Sequence, residues 1–142
     1  MGRGQRAGRA EAGLIERIYD TTLDPALWPG VMGQVAAAMG GNHAGMYFFD
    51  PRARRLVRDI SSDFPSREVY LRDFAGMDHR NQFGITAPVG LTFTDDAFIT
   101  PAEIARSGFY QDYLLPNEMG HVGAHMLQND GAGIAGISVQ RP

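Results

Sequence analysis

The last third of the chain constrains the fold most, because it combines a capped helix with two extended segments around a turn. Residues 121–128 (HVGAHMLQ) and 134–140 (IAGISVQ) flank the segment NDGAG, which has the composition of a hairpin turn. Before them, Thr100 is placed to act as an N-cap, Pro101 takes the first helical position and Glu103 completes a capping box. These signals predict a helix packed on a β-hairpin.

The first forty residues predict two helices. Residues 11–23 carry apolar side chains at helical spacing and therefore present one apolar face. A tight turn is expected over Pro25–Trp28, with Asp24 as its cap, and the next helix should begin near Pro29. Gly40-Gly41 supplies the left-handed cap that ends this helix.

The middle of the chain predicts a second hairpin. His43–Asp50 is rich in aromatic residues, and Arg55–Ser61 alternates between apolar and polar side chains. The further expectations are a helix capped by Ser66 and reaching Met77, a loop over residues 78–91, and a short strand from Leu91 to Thr94. Because hairpins connect the strands, we expect an α+β domain with a mostly antiparallel sheet and helices against one face.

Composition limits the partners and the location of the protein. Residues 1–10 contain three arginines and no acid, so we expect a flexible basic tail, with residues 11–142 forming a single domain. That remainder carries sixteen acidic residues against ten arginines, which argues against a duplex-binding surface. No run of about 18 apolar residues occurs, so we expect no membrane span and a cytoplasmic protein.

No residue pattern points to catalysis or to a metal. The chain has no cysteine and no lysine, which excludes thiolate and Schiff-base chemistry. His121 and His125 would lie roughly 13 Å apart on one face of a strand, too far to share a metal ion. One of them is expected at the surface and the other in a pocket or the core. Asp95 and Asp96 would point to opposite faces of a strand and are expected to be turn residues. We therefore expect no enzyme, and any cofactor is unknown.

Aromatic side chains are the better candidates for function. Strand alternation sends Tyr47 and Phe49 to one face of the sheet, and Phe48 with Met46 to the other. A small-molecule pocket needs such an apolar lining with a few polar tips, although the same side chains could simply fill a core. The residues predicted to line a ligand pocket are Tyr47, Phe49, Phe93, Phe109, Tyr110, Tyr113 and His125.

Several segments resemble one protein family in order and spacing. LIERIYDTTLDPALWPGVMGQVAAAMGGNHAGMYFFDP resembles the opening of the N-terminal sensor region of LuxR-type helix-turn-helix transcriptional regulators of proteobacteria. YLRDFAGMDHR, FTDDAFITPAEIARSGFYQDYLLPNEM and GISVQRP are similar to later parts of that region. The landmarks are Leu23-Asp24-Pro25, Leu27-Trp28, Tyr70 with Asp78, Thr94-Asp95-Asp96, and Ser107 with Phe109-Tyr110.

The resemblance covers residues 12–142 and implies a PAS- or GAF-like fold, with about five antiparallel strands flanked by helices. In that family the domain senses a signal, or mediates pairing, and relays it to a C-terminal DNA-binding domain. This chain departs from the pattern because it ends at Pro142 without that domain. We therefore expect no direct DNA binding.

Two hypotheses about function follow. The first is a non-catalytic sensor that binds a small molecule and shifts the packing of its helices on the sheet. The second is a dimerisation module with a filled core, whose helix Ala12–Leu23 pairs with its copy. We expect a homodimer in either case.

Overall fold

One five-stranded antiparallel sheet forms the centre of the protein. The structure is a computed structural model and describes residues 2–63 and 67–142. The strand order is β2-β1-β5-β4-β3, and every neighbouring pair is antiparallel. The predicted α+β class and the five-stranded sheet are therefore confirmed. The strands are β1 His43–Asp50, β2 Arg55–Ser61, β3 Thr92–Thr94, β4 His121–Asn129 and β5 Ile134–Arg141.

Helix α2 (Trp28–Ala38) packs on one face of the sheet, in contact with β1, β2 and β5, and helix α1 (Gly2–Asp20) packs against α2. A 3-10 turn over Pro25–Leu27 precedes α2, as predicted, and the Asp24 side chain accepts a hydrogen bond from the Ala26 amide. Gly40 has a φ of +71° and ends the helix in the left-handed region, also as predicted. Met32 and Ala36 of α2 are buried together with Ala44 and Ile60 of the sheet, and this cluster forms the core of that face.

Helix α1 begins at Gly2, so the predicted start at residue 11 is too late. The described side chains from Gly4 to Ala10 are exposed, which means that no packing holds this part of the helix. Alanine and arginine are strong helix formers and favour its continuation. The flexibility of residues 1–10 and the single domain over residues 11–142 stay predictions.

Helical segments also lie on the other face, so the expectation of helices against one face only is wrong. These segments are α3 Arg67–Val69 with a π-helical turn Tyr70–Phe74 and a 3-10 turn Ala75–Met77; α4 His79–Thr86; a 3-10 turn Asp95–Ala97; and α5 Pro101–Arg106 with a π-helical turn Phe109–Leu114. Ser66, the predicted cap of the first segment, lies outside the described residues.

Helix α4 replaces the loop predicted over residues 78–91. Asn81 and Gly84 are poor helix formers, and they suggested a loop. Tertiary contacts outweigh that propensity: Asp78 caps the helix through the Arg80 amide, and the Phe83 ring lies 4.7 Å from the Phe93 ring, centroid to centroid.

The capped helix near the C-terminus forms as predicted but is shorter. Thr100 and Glu103 make both hydrogen bonds of the capping box, and α5 ends at Arg106 because Ser107 leaves helical geometry. After Ser107 the chain becomes helical again in the π-helical turn, and four buried side chains of this turn belong to the core of this face. Those side chains are Phe109, Tyr110, Tyr113 and Leu114.

Candidate functional site

A cavity of about 440 Å³ lies between the second face of the sheet and the helical segments that cover it. Its floor comes from β1, β2, β3, β4 and β5, and its roof from residues 70–85 together with Tyr113 and Met119. This volume is in the range of small-molecule sites in proteins. A π-helical turn at Tyr70–Phe74 forms part of the roof, and such turns are frequent at functional sites.

The cavity changes from polar to apolar along the direction of β1. At one end, His43 pairs with Gln140 of β5, and Ser138 follows on the same face. At the other end, Phe49 pairs with Ile134 of β5. Since side chains two positions apart share a face, the register alone sets this gradient. The apolar end is completed by Phe93, Ala124, Met126 and Ile85.

Asp78 and Arg80 form a buried ion pair in the roof. Arg80 Nε donates to Asp78 Oδ1 at 2.9 Å, and Arg80 Nη2 donates to Oδ2 at 2.8 Å. Tyr70 donates its hydroxyl to Asp78 Oδ2 at 2.8 Å, and Asn81 Nδ2 donates to that hydroxyl at 2.9 Å. With the Arg80 amide as a further donor, the Asp78 carboxylate accepts four hydrogen bonds and has no remaining lone pair to offer.

The Asp78–Arg80 ion pair influences the pKa values of the ionisable groups in the roof. Burial by itself lowers the pKa of Arg80, but the Asp78 carboxylate more than offsets that effect and the pKa is raised. Burial also raises the pKa of Tyr70, and the neighbouring Asp78 raises it further. Both groups therefore hold their ordinary protonation state, with Arg80 charged and Tyr70 neutral. The Arg80 guanidinium carbon lies 5.1 Å from the centroid of the Phe109 ring, at cation–π distance.

Three residues that line the cavity each carry a buried side-chain atom without a hydrogen-bond partner in the described ranges 2–63 and 67–142. These atoms are Asp59 Oδ1, Arg80 Nη1 and Gln140 Oε1. The other carboxylate oxygen of Asp59 is paired with Arg67. Buried polar atoms are nearly always satisfied in native proteins, so an unsatisfied set around one cavity indicates a place for a polar ligand group or for water.

Tyr47 occupies the middle of the floor. Burial raises its pKa to about 12, and the neighbouring Asp59 carboxylate adds to that effect, so its hydroxyl is neutral and can donate. The hydroxyl would lie 2.6 Å from a Cβ atom at Gly45, two positions earlier on β1. Glycine at position 45 therefore makes the space into which the Tyr47 ring folds.

His43 is buried at the polar end of the cavity, where its Nδ1 atom and the Ser62 hydroxyl share a hydrogen bond of 2.6 Å. Burial, together with the positive charges of Arg80 and Arg67, lowers the pKa of His43 to about 4. The imidazole is therefore neutral in the folded protein at neutral pH.

We expect the His43→Asn variant to lose part of the acid sensitivity of the domain. In the wild type the unfolded chain binds a proton at His43 below about pH 6.5, whereas the folded protein does so only near pH 4. The stability that depends on the neutral imidazole is therefore fully present above pH 6.5. As the pH falls from 6.5 toward 4, the free energy of unfolding decreases by about 3 kcal/mol on account of this group. Urea unfolding between pH 4 and 7.5 measures this, with His121→Asn, a change at an exposed histidine, as control. Equal pH slopes for both variants would contradict the assignment.

The structure brings together four of the seven residues predicted for the pocket. Tyr47, Phe49, Phe93 and Tyr113 line the cavity, and Tyr47 and Phe49 share a face as expected. The other three residues lie elsewhere. Phe109 and Tyr110 are completely buried in the core, where the Tyr110 hydroxyl donates to Asp95 Oδ1 at 2.8 Å.

His125 lies on the opposite face of β4 from the cavity, because the cavity-facing positions of that strand are 122, 124 and 126. Its Nδ1 atom and the Thr92 hydroxyl share a hydrogen bond of 2.7 Å. His121 is on the same face of the strand and exposed. In the described ranges, no three histidine, aspartate or glutamate side chains are close enough to hold a metal ion. No helix in those ranges is long and apolar enough to cross a membrane.

The polar residues of the cavity were missed at the sequence level. Tyr70 and Asp78 are landmarks of the resemblance, and Arg80 lies in the segment predicted to be a loop. Ser138 and Gln140 could have been found, because they alternate on the face of β5 that also carries Ile134 and Gly136. Asp59 carries no local signal, since it lies on the strand Arg55–Ser61, whose alternation of apolar and polar side chains does not distinguish it from a residue on a solvated face.

Comparisons with known proteins give the fold context. No protein-family model and no curated protein matches the chain. Among solved structures, the VqsR ligand-binding domain from Pseudomonas aeruginosa is similar with a TM-score of 0.59 and 13% identity, covering 99% of this chain and 81% of that one. The N-acylhomoserine-lactone-dependent LuxR family transcription factor CepR2 from Burkholderia cenocepacia has a TM-score of 0.66 and 14% identity, over 94% and 79% of the two chains.

A further similar structure is SdiA in complex with octanoyl-rac-glycerol, with a TM-score of 0.60 and 10% identity over 94% of this chain and 53% of that one. At these identities the likeness concerns the fold. The resemblance stated from the sequence is thereby confirmed at that level: this chain has the fold of the ligand-binding domains of LuxR-type regulators.

Proposed function

We propose that this protein is a non-catalytic sensor domain that binds an amphipathic small molecule in the cavity and serves as the input of a transcriptional regulator. The observation that carries this proposal is the polarity gradient of the cavity, with His43 and Gln140 at one end and Phe49 and Ile134 at the other. Such a lining suits a molecule with a polar head and an apolar tail. The similar proteins CepR2 and SdiA are described with ligands of this kind, an N-acylhomoserine lactone and octanoyl-glycerol.

Ligand binding would act on the rest of the domain through the roof. Tyr70 and Asp78 are joined by a hydrogen bond, and the Tyr70 ring lies 5.7 Å from the Tyr113 ring in the adjoining π-helical turn, centroid to centroid. A ligand that orders these segments would shift the population of their packing states. As part of the same proposal, the domain works in the cytoplasm and does not itself contact DNA.

A pair of glycine variants on the sheet tests ligand binding. Gly136 lines the cavity, and a Cβ atom there would meet Met126 Sδ at 3.4 Å, an ordinary contact, so valine should be accommodated while filling cavity volume. Gly123 lies on the opposite face of β4 with open space around it and provides the same substitution outside the cavity. We expect octanoyl-glycerol, or an N-acylhomoserine lactone, to raise the melting temperature of the wild type and of Gly123→Val.

The Gly136→Val variant is expected to bind these ligands at least about tenfold more weakly, because the added side chain occupies space that the ligand needs. Thermal shift over a ligand titration measures the difference. If neither compound stabilises the wild type, or if both variants respond alike, the cavity is not the binding site.

Dimerisation is a second candidate function, favoured by exposed apolar side chains on α1 and in the turn that follows it. Ile15, Tyr19 and Leu23 are exposed by 53%, 71% and 89% respectively, and Ile18 lies beside them. Exposed apolar side chains close together in the sequence fit pairing with a second copy of the chain. Light scattering of the wild type and of Tyr19→Glu over a range of concentrations tests it. We expect a dimer that the variant weakens, and a monomeric wild type at all concentrations would exclude this role.

A further inference from the structure

Three apolar side chains mark the place where the cavity opens to solvent. Leu56, Leu71 and Ile85 line the cavity, yet they are exposed by 44%, 52% and 44% respectively. A side chain that contacts both the cavity and solvent lies where the two meet. We refer to these three residues as the mouth of the cavity.

Strand register places the mouth at the apolar end of the cavity. Leu56 pairs with Phe49, and Phe49 pairs with Ile134. Ile134 in turn pairs with Asn129, so that one row of residues crosses β2, β1, β5 and β4. Asn129 Nδ2 donates to the backbone oxygen of Ile85 at 3.1 Å, which holds Ile85 at the β4 end of this row. With strands about 4.8 Å apart, the row from Leu56 to Asn129 measures about 14 Å.

Leu71 reaches the mouth from the roof. Arg67 in α3 is paired with Asp59, which follows Leu56 as the next residue of β2 that lines the cavity. Leu71 lies four positions after Arg67, about one helical turn further along the same segment. The ion pair therefore holds Leu71 near the edge of the sheet to which Leu56 belongs.

The direction in which the cavity opens is unfavourable in water. Phe49 and Ile134 lie directly behind the mouth, whereas the polar residues His43 and Gln140 lie at the far end. Exposed apolar side chains grouped at an apolar opening are typical of a surface that a partner covers. The mouth therefore fits a partner that offers an apolar phase.

Positive charge is concentrated beside the mouth. Residues 50–58 hold four arginines and a single acid, Asp50, although the whole chain has a net charge of −3. Arg52, Arg54 and Arg55, which we call the hairpin arginines, are exposed and directly precede Leu56. Their guanidinium groups form no ion pair with any residue that the structure describes. Asp50 instead uses its Oδ1 atom to accept two backbone amides of the turn, at 2.8 and 3.0 Å.

We propose that the mouth docks on an anionic lipid bilayer, peripherally and without spanning it. In the docked state the mouth side chains enter the boundary between head groups and acyl chains, and the hairpin arginines contact the lipid phosphates. Arginine suits this position because its stem lies along apolar surface while the guanidinium stays in water. A protein partner would need a matched acidic and apolar surface, whereas an anionic bilayer supplies both groups everywhere. This inference goes beyond the proposed sensor function, and its test needs no ligand in the cavity.

Vesicle co-sedimentation tests the role of the hairpin arginines. We expect the wild type to bind phosphatidylcholine vesicles that contain phosphatidylglycerol at least about tenfold more tightly than pure phosphatidylcholine vesicles. Binding should weaken when salt is raised from about 0.1 M to about 0.5 M. The variant Arg52→Gln/Arg54→Gln/Arg55→Gln should lose at least about tenfold in affinity for the anionic vesicles. Arg3→Gln/Arg6→Gln/Arg9→Gln removes the same number of charges from the N-terminus and should lose less than about threefold.

A fluorescent probe tests whether the mouth itself enters the bilayer. Because the chain has no cysteine, Leu71→Cys provides a single site for an environment-sensitive label such as nitrobenzoxadiazole. Its emission should rise and shift to the blue when anionic vesicles are added. Leu115→Cys is the matched control, since Leu115 is 46% exposed and contacts the region of Gly120, at the start of β4 and far from Asn129 at its end. The label at position 115 should not respond.

The outcomes separate this proposal from the sensor function. A wild type that does not bind anionic vesicles, or that binds neutral ones equally well, would overturn bilayer docking. A hairpin variant that binds like the N-terminal variant would overturn it as well, and so would a label that responds at position 115 but not at position 71. None of these results would alter the thermal shift expected with ligands, which is measured without vesicles.

Discussion

Replacing Arg80 by methionine should destabilise the domain by about 3–5 kcal/mol, because it leaves the Asp78 carboxylate buried without its partner. Asp78 is 2% exposed and receives three of its four hydrogen bonds from Arg80, two from the guanidinium and one from the amide. Only the amide and the Tyr70 hydroxyl would remain. The stem of methionine fills most of the space of the arginine stem, so the loss reports the charge rather than a void.

The double variant Asp78→Asn/Arg80→Met is the control for this prediction. Asparagine can still cap α4 through its Oδ1 atom, and its amide can donate to the Tyr70 hydroxyl. We therefore expect the double variant to recover more than half of the lost free energy of unfolding, measured by urea titration. A double variant as unstable as the single one would show that the arginine acts through packing.

The Phe109→Ala variant should lose about 3–5 kcal/mol of stability, the usual cost of deleting a fully buried phenylalanine. The Phe109 side chain is completely buried, and its ring is stacked on that of Tyr113 with 5.8 Å between centroids. It also lies within 6.1 Å of the Tyr70 and Phe74 rings and below the Arg80 guanidinium. The deletion therefore creates a void behind the roof of the cavity.

Denaturant unfolding measures this loss of stability, and two further variants serve for comparison. Phe109→Leu keeps most of the volume and should lose about 1–2 kcal/mol. Leu115→Ala, at a side chain that is 46% exposed, should change stability by less than about 1 kcal/mol. A Phe109→Ala variant that is as stable as Leu115→Ala would contradict the core assigned to this face.

Much of the fold could be predicted because its signals are local. Each of these signals involves residues only a few positions apart. Examples are the capping box of Thr100 and Glu103, the 3-10 turn before α2, and Gly40, which ends α2. The alternation of Tyr47 and Phe49 against Met46 and Phe48 is likewise a property of the strand alone. These features are therefore present both in the sequence and in the structure.

The features that escaped prediction depend on contacts between distant segments. Helix α4 forms although Asn81 and Gly84 disfavour it, because Phe83 packs on Phe93 and Asp78 caps the helix. The π-helical turn after Ser107 sends Phe109 and Tyr110 into the core, whereas their aromatic side chains with polar tips had suggested a pocket for them. Both changes decide which residues line the cavity.

The polar part of the site was the hardest to predict, since its members come from three elements that are distant in the sequence, namely β2, α4 with its cap, and β5. Asp59, Asp78, Arg80, Ser138 and Gln140 have no common spacing in the sequence. Their meeting depends on the strand order, which places β5 between β1 and β4, and on the second helical layer. The apolar part was easier because aromatic residues on a strand already indicate which face they share.

A crystal structure of the protein grown with octanoyl-glycerol shows directly whether the cavity binds an amphipathic molecule. We expect electron density for the ligand between the sheet and the roof, with the acyl chain beside Phe49 and Ile134. A cavity closed by its own side chains, or a ligand bound only on the outer surface, would contradict it.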